Sequence, residues 1–144
     1  MNVNIEIKDD VLNTEYKYTL QSLVRAVSDV FAVSKDDLLG QNRMAYIVTP
    51  RHVLYYMAYV NTAHSTNTLG REVGRDHTTI LYAVDKIRGQ MLKNKALKTK
   101  IAEIHLLAES YEDERQNHLG KLREEVEEMV YRINQEKLNG LQTT

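Results

Sequence analysis

The chain has 144 residues, enough for one domain, and its 42% hydrophobic and 27% charged residues are the balance of a folded globular protein. It has no cysteine, which excludes disulfide bonds, thiolate zinc sites and cysteine nucleophiles. No apolar run is long enough to span a membrane and the first residues lack a secretion signal, so we expect a cytoplasmic chain without a membrane partner. One proline and six glycines favour long helices, and we predict an all-α fold.

Charge is distributed unevenly along the chain. Residues 35–100 carry eleven Lys or Arg against five Asp or Glu, whereas residues 101–144 carry five against ten. A basic segment next to an acidic one is typical of a nucleic-acid-binding module with an appended element of another role. Ordinary solvated helix faces would give the same pattern, so charge alone leaves both interpretations open.

The N-terminal part is predicted to contain an arm followed by a helix. Val3, Ile5 and Ile7 alternate with polar residues, which indicates a short edge strand or an extended arm within residues 1–18. From about Thr19, apolar residues recur three and four positions apart, as on one face of a helix. These residues are Leu20, Leu23, Val24, Val27, Val30 and Phe31.

Capping residues predict the next two helices. Ser34, with Asp37 three residues later, indicates a short capped helix that ends near Gly40. The segment 41–48 then reads as a loop. Thr49 and Pro50 match an N-cap followed by proline at the first helical position, so we predict a helix from there to about residue 63.

Residues 65–91 have the pattern of a helix-turn-helix. Ser65 or Thr66 can cap a short helix, Gly74 supplies a tight turn, and Asp76 can cap a second helix. The second helix of such motifs presents its first residues to the base edges of DNA. A lysine-rich connection, KNKALKTK, follows this unit.

Residues 101–138 are predicted to form one long helix inside a C-terminal element that spans 95–144. Its second half carries an apolar seam with alternating spacings of three and four residues: Leu119, Leu122, Val126, Met129 and Ile133. The seam covers about two heptads. Packing against the first helix would bury it within one chain. A homodimer with paired half-sites on DNA would bury it between two copies, and we predict the dimer.

Three segments carry a resemblance to a known family. They are DLLGQNR at 37–43, TPRHVLYYMA at 49–58 and LGREVGRDHTTILYAVDKI at 69–87. Together they resemble the DNA-binding C-terminal domain of the bacterial replication initiator DnaA, which implies a Trp-repressor-like helix-turn-helix bundle over residues 19–94. No phosphate-binding loop of the GxxxxGK[ST] type occurs, so we expect a stand-alone DnaA-type domain of the kind that phages or mobile elements encode, with no nucleotide cofactor.

The resemblance implies DNA-contacting roles for nine residues. The implied base readers are Asp76, His77, Thr78 and Thr79, with Arg43 in the minor groove. The implied phosphate contacts are Arg51, Thr62, Ser65 and Arg75. The resemblance also implies an A·T-rich DNA target similar to a DnaA box.

Two departures from the family keep a second function open. The basic loop is depleted, with Gln41, Asn42 and Ala45 at positions that are often basic, and one glycine rather than two precedes Arg75. Fewer phosphate contacts weaken DNA binding. The first hypothesis is a sequence-preferring DNA-binding protein in replication or transcription control. The alternative is an adaptor that keeps the fold and binds a replication or transcription protein through its acidic C-terminal helix.

Catalysis and metal binding find no support in the residue pattern. The histidines, including His52, His64 and His105, have no ligand spacing with His77 or with one another. No hydroxyl or carboxylate has the spacing that would pair a nucleophile with a base. We therefore expect neither an enzyme nor a metalloprotein.

Overall fold

The computed structural model describes residues 17–142, and this part is built from six α-helices. In chain order they are α1 (Leu20–Phe31), α2 (Lys35–Leu39), α3 (Ala45–Asn61), α4 (Thr66–Val73), α5 (His77–Met91) and α6 (Lys95–Gln142). The predicted all-α class is confirmed for these residues. The strand or arm expected at Val3–Ile7 lies outside the described residues. No helix between residues 17 and 142 is both long and apolar enough to cross a membrane.

Most helices begin where the sequence predicts, because a side-chain oxygen satisfies a free backbone N–H group. Thr19 accepts from Ser22 N, Ser34 from Asp37 N and Ser65 from Thr68 N. Asp76 caps α5 in the same way, with its side chain accepting from Thr78 N. The predicted helix-turn-helix is therefore α4, the turn at 74–76 and α5.

Helix α3 begins earlier than predicted. Thr49 and Pro50 are not its N-cap and first residue, because the helix starts at Ala45 with Met44 as N-cap. Ile47 is fully buried and Pro50, one turn later, is buried as well, so the core draws residues 45–49 into the helix. Proline fits a helical φ at the cost of one backbone hydrogen bond. The apolar face of α3 therefore outweighs the local start signal.

The described part of the first compact unit, residues 17–110, is organised around α3. Helix α3 packs against α1, α2, α4 and α5, and its contact with α5 is the most extensive. The first part of α6 completes the core with Ile101, Ile104 and Ala108. This arrangement holds α5 against α3 along its buried face and leaves the start of α5 exposed.

The predicted boundary of the last helix is also corrected. Lys95–Lys100 is helical rather than a connection, and Asn94 Oδ1 accepts from Leu97 N at 3.1 Å. The second compact unit begins at Tyr111 and is described to residue 142 as helix alone. Its five seam side chains are 40–58% exposed.

Candidate nucleic-acid interface

The first turn of α5 presents polar side chains to solvent. Asp76, His77 and Thr78 are exposed and Thr79 is half-buried, whereas Ile80 is fully buried and anchors the turn to the core. Four of the five predicted base-contacting residues are therefore consecutive at one helix end. This is the part of a recognition helix that reaches base edges in helix-turn-helix proteins.

Asp76 and His77 bond to each other at this helix start. Asp76 Oδ1 lies 3.4 Å from Thr78 N and 2.9 Å from His77 Nδ1. The backbone N–H of Thr78 holds the pKa of Asp76 below its ordinary value, and the nearby His77 acts in the same direction. The carboxylate is therefore ionised at neutral pH. The ring of His77 thus lies beside this carboxylate, and its side chain remains exposed to solvent.

The turn before α5 depends on two glycines. Gly74 has a φ of 71°, in the left-handed region that glycine adopts without strain. Arg75 N donates to Gly70 O at 2.7 Å, and a Cβ on Gly70 would overlap the carbonyl oxygen of Arg75. The sequence prediction recognised Gly74 and missed Gly70. The sequence signal for Gly70 was a glycine inside an amphipathic helix, a position that usually marks close packing.

A cavity of about 310 Å³ lies beside the start of α5. It brings together four of the predicted DNA-contacting residues, Arg43, Arg51, Arg75 and Thr79. The rest of its lining comes from Gln41, Val48, His52 and Tyr55. Three arginines around one small cavity make it a positively charged site.

Two of these arginines are bonded to backbone carbonyls near the end of α2. Arg51 is only 5% exposed, and it donates from Nε to Leu38 O at 3.0 Å and from Nη2 to Asp37 O at 2.6 Å. Arg75 donates from Nη2 to Gly40 O. Burial lowers the pKa of Arg51 from its ordinary value, and the charge of Arg75 lowers it further, against the opposite effects of Tyr55 and Asp37. Arg51 thus joins α3 to α2, a role that the sequence did not predict.

Tyr55 lines the same cavity with an unsatisfied hydroxyl. The side chain is 2% exposed, and its OH has no hydrogen-bond partner among the described residues. Burial raises the pKa of Tyr55, while the charges of Arg75 and Arg51 lower it. The Arg75 guanidinium is close enough to affect this pKa without forming a hydrogen bond to the OH group. A buried donor next to two cations is suited to an anionic oxygen.

His52 and Tyr82 extend this surface along α5. Their rings meet edge to face with centroids 5.9 Å apart, and Lys86 Nζ lies 5.7 Å from the Tyr82 ring centre. Burial lowers the pKa of His52, and the charges of Lys86 and Arg51 lower it further, which keeps the ring neutral at pH 7. Sequence reasoning considered His52 only as a metal ligand and did not single out Tyr82. The described residues contain no cluster of three or more acidic or histidine side chains that could hold a metal.

The remaining predicted residues fall into two environments. Thr62 is 2% exposed, donates from Oγ1 to Ala58 O at 2.7 Å and accepts from His64 N at 3.3 Å. Ser65 and Arg43 are exposed, although Ser65 also caps α4. The hydroxyl of Thr62 thus closes the end of α3, whereas Ser65 and Arg43 remain accessible to a ligand.

The amino-acid sequence of this region matches a known helix-turn-helix family. Residues 20–87 fit the family model described as bacterial dnaA protein helix-turn-helix. This segment belongs to that family. The matched segment covers α1 to α4 and most of α5, and Arg43, Arg51, Ser65 and Arg75–Thr79 all lie inside it.

The chain is also similar in sequence to curated DnaA proteins. The chain is 41% identical over 98 residues to the chromosomal replication initiator protein DnaA of Rhodopseudomonas palustris (strain BisB18), covering 67% of this chain and 21% of that protein. For the initiator of Xanthobacter autotrophicus the identity is 38% over 104 residues, covering 71% and 21%. For that of Lacticaseibacillus casei it is 34% over 87 residues, covering 60% and 19%. The chain therefore spans about a fifth of the length of these relatives.

Proposed function

We propose that this chain binds double-stranded DNA with sequence preference and acts in the control of replication or transcription. The observation that carries the proposal is the polar run Asp76–Thr79 at the start of α5 in a DnaA-type domain, exposed at its first three residues and half-buried at Thr79. Buried Ile80 fixes that run in place, so its polar groups are preorganised. Occupying target sites, in competition with an initiator that reads similar DNA, is the simplest way for such a chain to act.

The bonding at Asp76 and His77 suggests what they read. A carboxylate has capacity beyond the cap, so Asp76 can also accept from the N4 amino group of cytosine in the major groove. His77 can bond a base acceptor or pack on a thymine methyl group. Thr78 and Thr79 offer a hydroxyl to base edges and a methyl group to thymine. Arg43, exposed on its loop, is suited to the minor groove.

Phosphate contacts are proposed around the arginine cavity. A DNA phosphate that reaches it would meet the guanidinium groups of Arg75 and Arg51 and the free hydroxyl of Tyr55. Ser65 can contact a second phosphate at the start of α4, where backbone N–H groups favour anions. Thr62 contributes by holding the end of α3, since its hydroxyl is already bonded to Ala58 O.

The proposal includes a homodimer. The apolar seam of α6 is exposed along residues 119–133, and a second copy would cover it. Two copies would bring two recognition helices to DNA with paired half-sites, which raises affinity without further phosphate contacts. This gain compensates for a depleted basic loop.

Binding isotherms of single variants test the base-reading role. A preferred site is first selected from random duplex DNA, and affinity is then measured for that site and for random duplex. His77→Ala and Thr79→Ala are each expected to lose about 1–3 kcal/mol on the preferred site and little on random DNA. Arg71→Ala is the matched control, because it removes an exposed charge with no assigned base contact and weakens both DNAs alike.

The outcomes separate the two functions. Equal losses on both DNAs for His77→Ala and Thr79→Ala would remove base reading by this helix. If the folded chain binds no duplex even at low salt, the adaptor hypothesis takes the place of the DNA-binding one.

A further inference from the structure

The apolar seam of α6 has a defined heptad pattern. With Leu119 at position a, the a and d positions up to residue 133 are all apolar, and their side chains are 40–58% exposed. Val130, at the adjacent e position, is 51% exposed. An apolar strip of this kind is buried by pairing with another helix. The charges beside the strip determine which partner and which direction fit.

We infer that two copies of the chain pair through this seam in antiparallel orientation, with Leu122 of one copy opposite Ile133 of the other. The inference rests on the proposed homodimer and adds its direction and register. It is independent of the DNA-reading residues.

Parallel pairing would place like charges together. In a parallel two-stranded coil, a g residue faces the e residue five positions later on the partner helix. Arg132 would then face Lys137 twice by symmetry, which is a like-charge pair, and His118 would face Arg123 without a carboxylate partner. Glu125 would face Val130, so no flanking pair would be attractive.

Antiparallel pairing places opposite charges together. Here an a residue lies across from a d residue, and g residues face g residues. With Leu122 opposite Ile133 and Val126 opposite Met129, Glu125 faces Arg132 of the second copy twice by symmetry. Within its own helix, Arg132 Nη2 already bonds Glu128 Oε1 at 2.5 Å. Because a guanidinium has five N–H donors, Arg132 can bond Glu125 of the second copy at the same time.

The same register also covers Val130. The e positions meet in antiparallel coils, so the methylene stem of Arg123 from the second copy lies over Val130. A shift of one heptad would instead place Glu125 against Glu125. The flanking charges therefore favour one register, in which Leu119 faces Glu136 at the end of the seam. The short seam gives a weak, salt-sensitive dimer, with dissociation expected at micromolar concentrations.

Charge reversal tests the direction, with sedimentation equilibrium of the whole chain as the measurement. Arg132→Glu is expected to weaken the antiparallel dimer about tenfold, because two attractions become repulsions. A second change, Glu125→Arg, restores the pairs and is expected to return the dissociation constant to near its original value. The Arg132–Glu128 bond exists in monomer and dimer alike, so its loss cancels in this comparison.

In a parallel dimer, Arg132→Glu would have the opposite effect on association. There Arg132→Glu would face Lys137 and strengthen association. Glu124→Arg is the matched control, since position f points away from the seam and its reversal should leave association unchanged. Strengthening by Arg132→Glu would overturn the inference.

Disulfide trapping provides a second readout, because the chain has no native cysteine. In the inferred register, Leu122→Cys and Ile133→Cys chains cross-link when mixed. Two copies of the same variant do not cross-link, because their cysteines lie about 16 Å apart along the coil axis. A disulfide formed by Ile133→Cys alone would show parallel pairing. A monomer at every concentration up to hundreds of micromolar would refute the homodimer itself and leave DNA binding by single copies untouched.

Discussion

Two groups of side chains were assigned to DNA by the same resemblance, and the structure uses them differently. At the start of α5, Asp76–Thr78 are exposed and bond mainly to one another and to their own helix. In the cavity beside it, Arg51 and Arg75 bond the carbonyl oxygens of residues 37–40. A guanidinium near the carboxyl end of a helix satisfies free carbonyls before any ligand arrives. Residue type thus predicts which groups a side chain can bind. Burial decides whether the side chain is already bonded to other parts of the folded chain.

The largest expected effect is on stability and separates Arg51 from Arg43. Arg51→Met retains the apolar stem but leaves Leu38 O and Asp37 O without their donor, so we expect a loss of about 3 kcal/mol in unfolding free energy. Arg43→Met, on an exposed side chain, should change it by less than about 0.5 kcal/mol. Urea denaturation measures both. If Arg51→Met proves as stable as the parent, the two carbonyl bonds do not stabilise the fold and the contrast with α5 disappears.

The next effect concerns the turn that positions α5. Gly70→Ala would press a methyl group onto Arg75 O, and we expect a loss of about 2 kcal/mol together with weaker DNA binding. Gly89→Ala is the matched control, because nothing lies within 4 Å of a Cβ there and alanine should stabilise α5 by up to about 1 kcal/mol. Thermal unfolding and DNA titration are the measurements. Equal stability of the two variants would contradict the close approach of α4 and this turn.

The smallest effect is a pH dependence from two half-buried histidines. His52 and His105 have pKa values below the ordinary 6.5, mainly because burial disfavours the charged ring. Below pH 6.5 the unfolded chain therefore binds more protons than the folded one. The neutral rings of the two histidines make their full contribution to the free energy of unfolding above pH 6.5. This contribution decreases as pH falls through 6.5 towards the folded-state pKa values.

Denaturation of His52→Gln and His105→Gln between pH 7.5 and 5 measures this effect. Each variant should lose less stability on acidification than the parent, because one proton-binding difference is removed. An unchanged slope in His52→Gln would mean that its ring is solvated, like the exposed side chains at the start of α5.

Local signals predicted much of this fold. The caps at Ser34 and Asp76, the choice of Ser65 or Thr66 as the cap of α4, and the turn at Gly74 were recognised, because each depends on a few neighbouring residues; at Thr19 only the start of the helix was predicted. The similarity of residues 20–87 to DnaA domains then located the candidate interface. These features need no knowledge of distant contacts.

The errors arose where distant contacts decide. Helix α3 begins at Ala45 because Ile47 is buried in a core that the local pattern does not reveal. Arg51 bonds carbonyls 13 and 14 residues away, and the hydroxyl of Tyr55 is buried without a partner beside a cavity that distant residues line. Neither contact has a local signature.

Pro50 divides the hydrogen-bond ladder of α3 near the loop that carries Arg43. Proline has no N–H group, so the carbonyl of Tyr46, four residues earlier, lacks its helical donor, and Tyr46 is 58% exposed. We expect residues 45–49 to open at a lower free energy than the remainder of the helix, with buried Ile47 as their anchor to the core. In the proposed DNA complex, such local opening would let the Arg43 loop adapt to the width of a groove while the half of α3 that supports α5 keeps its packing.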